Sequence, residues 1–271
     1  MKTYNKALHT AFIAALSLSL VGCASSSASA STAAASSSAV PAAEDFASQL
    51  VKANTITVAI SPDYPPFESY ATDGSLQGFD VDMGNELAQY FGEGYTVEFV
   101  SMSFDTIITA VQSGQADLGI SGFTYDPDRQ VAFSDPYLSS AQVVLVQKDS
   151  GISALSDLDG KSIAAQAGST GESAAETLEN STYTGVTDAQ VMIEALKTGA
   201  YDGIVLDQAV AQNYVSANAD LVILEEPLLV EETCIIAKEG NDALMNKVNE
   251  ALASYMATDA YTANKTKWEL N

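Results

Sequence analysis

From residue 55 onward, short continuous apolar runs alternate with stretches in which apolar residues recur at helical spacing. The stretches 56–60, 96–100 and 118–121 are short and apolar, as buried strands are. Between and around them, apolar residues recur at the spacing of a helix face, with Ser103 as a possible N-cap and Gly114 as a stop. The helix-face residues are Met83, Leu87, Tyr90 and Phe91, then Phe104, Ile107, Ile108 and Val111. Strands alternating with helices predict βαβ units, a mainly parallel sheet and an α/β fold class.

A short internal echo predicts two lobes built on the same plan. Residues 110–120 read Ala-Val-x-x-Gly-x-x-Asp-x-x-Ile, and residues 195–205 read Ala-Leu-x-x-Gly-x-x-Asp-x-x-Val. Each pattern is typical of a helix end, a glycine stop, a short turn and a buried strand. Ligands of open α/β sheets bind beyond the carboxyl ends of the strands. The two strand ends are therefore expected to face each other across a cleft.

The N-terminal residues predict secretion and a lipid anchor. Lysines precede an apolar run at residues 11–21, which is too short to span a membrane as a helix. The run ends in Leu-Val-Gly-Cys, which resembles the lipobox of bacterial lipoproteins. The resemblance implies a signal peptide at residues 1–22 and lipid on Cys23; the alternative is an ordinary cysteine behind a plain signal peptide. Residues 23–45 are mostly Ser, Ala and Thr and predict a flexible tether.

The charge balance excludes several classes of function. The chain has 35 acidic residues, ten lysines and one arginine, and loss of residues 1–22 would leave a net charge of −26. Such a surface repels nucleic acid and anionic lipid headgroups. The single histidine, His9, lies in the predicted signal peptide, so histidine-based triads and metal sites are not expected, nor is a cofactor. Cys234 lies in an apolar strand pattern and is expected to be a small core residue.

Two features predict a site for an anion. Arg129, the only arginine, follows a predicted strand, and a guanidinium fits a planar carboxylate with two donors. The alternative is a single surface salt bridge. Ser169 and Glu172 form the capping-box pattern before a helical run, which would direct the amide of Thr170 at an anion. The alternative is a cap that only starts a helix.

These features combine into a site for an α-amino acid. Arg129 and Thr170 are expected to hold the ligand carboxylate from opposite lobes, with Thr124 beside them. Asp207, which follows the second echoed strand, is expected to hold the ammonium together with the Gly122 carbonyl and the Thr124 hydroxyl. The alternative for Asp207 is a strand-end cap or a surface carboxylate.

Several ordered motifs resemble the bacterial extracellular solute-binding proteins for polar amino acids, the capture subunits of ABC importers. The motifs lie at residues 62–68, 78–83, 121–137 and 160–170. The resemblance covers about residues 53–271 and implies a two-lobed periplasmic-binding-protein-like fold. Each lobe would be a mainly parallel sheet flanked by helices, with a hinge between the lobes.

The strand pattern also predicts how the chain is divided and where it crosses between lobes. The first lobe is expected at residues 53–143, the second at 144–226, and residues 227–271 are expected to return to the first lobe. Residues 141–146 and 221–227 are the candidate crossings.

The resemblance implies a pocket for the ligand side chain. Tyr64 and Phe104 match positions whose rings enclose that side chain, although Phe104 also fits a core role on its helix face. Ser61 stands where members that bind lysine, arginine or histidine often carry an acid, so a strongly basic ligand is less favoured; Asp63 could supply that charge instead. Gln166 falls near the same pocket and indicates a polar ligand. A derivative such as cystine or an opine stays open.

The implied function is capture without catalysis. A lipid-anchored monomer on the outer face of the bacterial cytoplasmic membrane would bind a free L-amino acid and deliver it to an ABC permease. One alternative is a cyclohexadienyl dehydratase-like enzyme of the same fold, with Glu68 or Asp63 as the catalytic acid. Another is a ligand-sensing subunit for a membrane receptor or kinase.

Overall fold

Strands and helices alternate along residues 45–270, which the computed structural model describes. The strands are β1 (Thr55–Ile60), β2 (Asp63–Tyr64), β3 (Glu68–Tyr70), β4 (Leu76–Gln77), β5 (Thr96–Ser101), β6 (Leu118–Thr124), β7 (Val131–Phe133), β8 (Leu138–Gln147), β9 (Ser162–Gln166), β10 (Thr182–Val186), β11 (Gly203–Asp207), β12 (Leu221–Ile223) and β13 (Leu229–Lys238). The helices are α1 (Phe79–Phe91), α2 (Phe104–Gln112), α3 (Thr170–Glu176), α4 (Ala189–Lys197), α5 (Gln208–Ala217), α6 (Asp242–Met256) and α7 (Asp259–Lys267).

One sheet runs through both lobes in the order β10-β9-β11-β8-β13-β6-β1-β5, with β12 beside β8 and β7 beside β13. The parallel strands β6, β1 and β5 belong to the first lobe. The parallel strands β10, β9 and β11 belong to the second lobe. Strands β2 to β4 form a small separate antiparallel sheet. The predicted two-lobed α/β architecture is confirmed.

Two long antiparallel strands connect the lobes. Strand β8 pairs with β11 of the second lobe, and β13 pairs with β6 of the first. The two connecting strands also pair with each other, residues 138–142 against 229–233. The candidate crossing at 141–146 lies in β8, whereas residues 221–223 run beside the second-lobe part of β8 and β13 completes the return. The hinge is therefore a two-stranded ribbon.

Strands buried on both faces explain the continuous apolar runs in the sequence. Strand β1 is buried at five of its six positions, and β11 is buried at all five. Helices cover both faces of such a sheet, so its strands do not need alternating polar residues. The predicted helix faces point into the core, as does Cys234. The buried residues among them are Met83, Leu87, Phe91, Phe104, Ile107 and Val111.

The internal echo corresponds to the same structural unit in each lobe. Gly114 and Gly199 follow α2 and α4 in the left-handed conformation, at φ 72° and 76°. Asp117 and Asp202 then precede β6 and β11. Each carboxylate accepts a backbone amide from the neighbouring strand of its own lobe, at 2.7 Å and 2.8 Å. The glycine ends the helix and the aspartate fixes the position of the next strand.

The described chain joins the first lobe before β1. A 3-10 turn at Phe46–Gln49 places the ring of Phe46 against those of Phe91 and Tyr95, with centroids 5.8 Å and 5.5 Å apart. Cys23, the predicted signal peptide and most of the predicted tether lie outside the described residues. Within residues 45–270, no helix combines the length and apolarity needed to cross a bilayer.

Candidate functional site

The two lobes make direct polar contact along the predicted cleft. The backbone amide of Asp207 in the second lobe donates to the Tyr64 hydroxyl in the first, at 3.0 Å. Gln166 Nε2 donates to Asp63 Oδ2 across the same gap, also at 3.0 Å. All four residues are buried although they lie on lobe surfaces. The structure is therefore a closed form.

Arg129 lies where β6 gives way to a loop, and its guanidinium bridges the lobes. Nη2 donates to the Gly168 carbonyl of the second lobe at 2.7 Å, and Nη1 donates to the Thr124 carbonyl at 3.2 Å. The group lies 5.4 Å from the centre of the Phe123 ring, and the nearest carboxylate, Asp126, is 4.0 Å away. Burial lowers the pKa of Arg129, and Asp126 opposes that shift. Arg129 is thus a half-buried cation whose nearest ion-pair contact, to Asp126, is long.

The start of α3 faces Arg129 from the second lobe. Ser169 Oγ accepts the amide of Glu172 at 3.1 Å, as the capping box predicts. The Glu172 carboxylate, however, accepts the amide of Gly168 at 2.7 Å, one residue before the position expected for a capping box. Thr170 is buried as the first residue of α3, where amides have no acceptor within the helix.

Asp207 ends β11 and also begins α5. Its Oδ1 accepts the amide of Ala209 at 2.8 Å, so the predicted cap exists, and its Oδ2 accepts the hydroxyl of Ser140 from the hinge. Burial raises the pKa of Asp207 to about 6; the two hydrogen bonds oppose this rise, and the charge of Glu231 adds to it. Among the described lysines and Arg129, no nitrogen lies within 4.0 Å of this carboxylate. A ligand ammonium would supply the missing cation.

Gly122 is held by a buried carboxyl pair below β6. It adopts a left-handed φ of 60°, and its amide donates to Asp80 Oδ2 at 3.1 Å. Asp80 also accepts the Tyr137 hydroxyl at 3.0 Å, and burial raises the pKa of Asp80 to about 7. Burial and the Asp80 charge raise the pKa of Glu68, which accepts the Ser121 hydroxyl at 2.5 Å. Glu68 is fully buried in this pair, so it does not present an acid to the cleft.

Asp63 receives hydrogen bonds from both lobes. Ser61 Oγ donates to Oδ1 at 2.7 Å, while Gln166 Nε2 and the amide of Ala189 donate to Oδ2 at 3.0 Å and 2.7 Å. Burial raises the pKa of Asp63, and the hydrogen bonds from Ala189 and Ser61 oppose the rise. Two residues expected at the ligand side chain, Ser61 and Gln166, are thus bound to Asp63. The Asp63 carboxylate therefore links the two lobes. Its acceptor positions are already used by these hydrogen bonds, although Asp63 was considered as the charge for a basic ligand or as a catalytic acid.

A polar cavity opens beside Asp63 at the edge of the closed cleft. Its volume is about 550 Å³, and residues of both lobes line it. The polar members include Ser61, Asp63, Ser101, Ser103 and Asp188. The lining also includes Pro62, Tyr70 and Met102, so polar groups share the cavity with apolar ones, which suits a ligand side chain with a polar end.

The two predicted aromatic contacts have different surroundings. Tyr64 is buried at the lobe interface, with its hydroxyl at the Asp207 amide. Phe104 is buried in the first-lobe core and stacks on Phe123 with centroids 4.6 Å apart. Phe104 therefore packs with the core, as its helical spacing allows, and Tyr64 lies on the cleft; contact of either ring with a ligand stays a prediction.

Sequence reasoning missed Glu231 on the hinge strand β13. This residue is buried, and its charge acts on Tyr64, Arg129 and Asp207. The signal was present in the strand pattern, because Glu231 falls in the same alternating phase as Thr233 and Ile235, both buried. A carboxylate in the buried phase of a strand is rare without a partner.

Comparisons with known proteins place the sequence in a family. The sequence model of the bacterial extracellular solute-binding proteins, family 3, matches residues 56–271. The arginine-binding extracellular protein ArtP of Bacillus subtilis (strain 168) is 32% identical over 220 residues, covering 79% of this chain and 85% of ArtP.

Two solved structures are also similar. One is an ancestral arginine-binding protein bound to arginine, at TM-score 0.74 and 36% identity, covering 79% of this chain and 98% of that one. The other is the ancestral amino acid-binding protein AncCDT-1, a precursor of cyclohexadienyl dehydratase, at TM-score 0.73 and 31% identity, covering 79% and 95%.

Proposed function

The chain belongs to family 3 of the bacterial extracellular solute-binding proteins, and from that premise we propose that it captures a free polar amino acid between its lobes for an ABC importer. The observation that carries the proposal is a pair of opposite charges in one closed cleft, the half-buried Arg129 and the buried Asp207. Arg129 is held by carbonyls, and Asp207 by a hydroxyl and an amide, so neither has a close ion-pair partner. An amino acid zwitterion supplies both missing charges.

The ligand carboxylate would bind Arg129 and the amide of Thr170, from opposite lobes. The ammonium would bind Asp207, the Gly122 carbonyl and the Thr124 hydroxyl. Charge-assisted hydrogen bonds of this kind are about twice as strong as neutral ones. Because the partners belong to both lobes, ligand binding favours the closed form.

The ligand side chain would lie between Tyr64 and the polar cavity beside Ser61 and Gln166. The serines there favour a polar ligand side chain. The relative ArtP is named for arginine, so arginine is the first ligand to test, with glutamine as its neutral polar counterpart.

Closure would also change the outer surface that the permease recognises. We place the protein on the outer face of the cytoplasmic membrane as a monomer, held near the permease by lipid on Cys23. A single acyl chain anchors reversibly, whereas two chains anchor firmly.

A thermal-shift screen tests the proposed function. The purified full chain is unfolded and refolded to remove co-purified ligand, and its melting temperature is then measured with each common amino acid. A ligand at about 100 times its Kd stabilises the folded state by about 2.7 kcal/mol. No shift with any amino acid would refute the proposal. Product formed from prephenate would instead support the dehydratase-like alternative.

A further inference from the structure

Glu231, on hinge strand β13, has a buried carboxylate oxygen that accepts no hydrogen bond from the described residues. One carboxylate oxygen accepts Gln142 Nε2 at 2.6 Å, and the other has no hydrogen-bond partner among the described residues. The residue is only 7% exposed. A buried, unsatisfied carboxylate oxygen is costly, and such groups in native structures usually have a functional reason.

The Glu231 carboxylate lies on the same face of the hinge as Ser140, the residue that donates a hydrogen bond to Asp207. Glu231 on β13 is paired directly with Ser140 on β8, and directly opposed residues of antiparallel strands share a face. The Ser140 hydroxyl donates to Asp207. Glu231 also raises the pKa of Asp207 and of Tyr64, whose hydroxyl accepts the Asp207 amide. The two carboxylates therefore flank Ser140.

Two other buried acids near the cleft have different surroundings. Asp63 accepts three hydrogen bonds. Glu68 also has one oxygen without a hydrogen-bond partner among the described residues, but it belongs to the first-lobe group with Asp80 and Ser121 and is not next to Ser140 on the hinge. In the described part of the chain, neither Asp207 nor Glu231 has a lysine or arginine nitrogen within 4.0 Å. The Glu231 charge acts on Arg129 from a distance, but neither carboxylate has a cation in direct contact.

We propose that Glu231 is a second carboxylate of the ammonium subsite and makes the site demand a free α-ammonium. The inference rests on the proposed function, because it assigns a further residue to the same ligand. An ammonium carries three donors, which Asp207 and Glu231 can share with the Gly122 carbonyl or the Thr124 hydroxyl. A ligand that lacks the ammonium leaves two buried charges close together.

The test compares each amino acid with its des-amino analogue. The probes are L-arginine with 5-guanidinopentanoate, and L-glutamine with glutaramate, titrated by calorimetry into the full chain. A site that binds the charged ammonium of a ligand rejects an analogue without that group. We therefore expect the amino acid to bind about 100-fold or more tightly than its des-amino analogue. Where neither amino acid binds, the best ligand of the thermal-shift screen and its des-amino form are used.

Glu231→Gln keeps the shape and removes the charge. We expect it to weaken amino-acid binding about tenfold, or 1.4 kcal/mol, and to leave the des-amino analogue unchanged or tighter. Structural damage would instead weaken both ligands together. Glu232→Gln is the matched control, because it removes one charge from the next, exposed position of the same strand. It should change neither affinity.

An unchanged preference in Glu231→Gln, or equal weakening of both ligands, would overturn the inference while leaving amino-acid capture intact. Failure of every amino acid to bind the wild-type chain would refute the proposed function itself. Glu231→Leu gives the same comparison if the glutamine variant does not fold. Failure of both variants to fold would assign Glu231 a structural role and overturn the inference.

Discussion

Arg129 combines a fixed geometry with an unneutralised charge. Two backbone carbonyls orient the guanidinium and the Phe123 ring lies near it, while the nearest carboxylate among the described residues, Asp126, is 4.0 Å away. Carbonyl dipoles position a cation without cancelling it. The residue is thereby prepared to bind a carboxylate that arrives with the ligand.

Arg129→Ala is expected to lose about 2–5 kcal/mol of ligand-binding free energy, because the desolvated ligand carboxylate would lack its partner. Isothermal titration calorimetry with the ligand found by thermal shift measures the loss. Lys148→Ala, which removes an exposed positive charge, is the control and should bind as the wild type does. Wild-type affinity in Arg129→Ala would remove this residue from the site.

Asp207 predicts how binding depends on pH. With a ligand-free pKa of about 6, Asp207 gains a proton as the pH falls below that value and loses its attraction for an ammonium. Affinity should fall by up to about tenfold per pH unit between pH 6 and the lower pKa of the complex. Calorimetry from pH 7.5 to pH 4.5 measures this dependence.

The raised pKa of Asp207 makes the stability of the ligand-free fold depend on pH in the opposite direction from ligand affinity. The folded state holds the Asp207 proton more tightly than the unfolded state, so this group favours folding most below the unfolded pKa of about 4. Its contribution declines as the pH rises through about 6. Asp207→Asn should flatten both profiles in this range; a profile identical to the wild type would show that another group titrates.

At the scale of elements, the two echoed units differ in how deeply the strand-fixing aspartate is buried. Asp117 is 4% exposed and accepts the amides of Val51 and Thr57, both at 2.7 Å. Asp202 is more exposed and accepts both the amide and the hydroxyl of Ser162. Water can replace the second carboxylate more readily than the first.

Asp117→Ala is therefore expected to cost about 2–4 kcal/mol of unfolding free energy, and Asp202→Ala about 1–2 kcal/mol, since buried amides without acceptors are costly. Urea denaturation of each variant beside the wild type gives both values. Equal losses in the two variants would contradict the burial argument.

The elements also show what a sequence reveals and what it leaves out. The echo identified two lobes because a glycine and an aspartate at fixed spacing reflect one local structure. The positions of Arg129 and Asp207 at or just beyond strand ends were predictable because each charge follows an apolar strand. The donors that hold Asp63 were not predictable, because Gln166 and Ala189 come from the other lobe, more than a hundred residues away. Glu231 was hidden beside its exposed neighbour Glu232.

At the scale of the whole molecule, Asp63 makes hydrogen bonds that can form only when the two lobes are closed against each other. It accepts two hydrogen bonds from the second lobe and one from Ser61 of its own lobe. The closed population, and with it the apparent affinity, should depend on this residue.

Asp63→Ala is expected to weaken binding by about tenfold or more, through loss of closed-state hydrogen bonds, with a more expanded ligand-free chain. Calorimetry and small-angle X-ray scattering measure the two effects. Asp149→Ala, at an exposed position in the second lobe, is the control. Weakened binding with an unchanged ligand-bound radius would support the closure role, whereas wild-type affinity would argue against it.

The second lobe is one uninterrupted segment inserted between the two parts of the first, and this arrangement sets the order of synthesis. A ribosome delivers every strand of the second lobe before it makes β13 and α6, which complete the first. Until then β6, made much earlier, lacks its antiparallel neighbour and exposes an open edge. The later half of the molecule can thus be finished before the earlier half, and we expect chaperones to engage nascent chains mainly at β6 and α1.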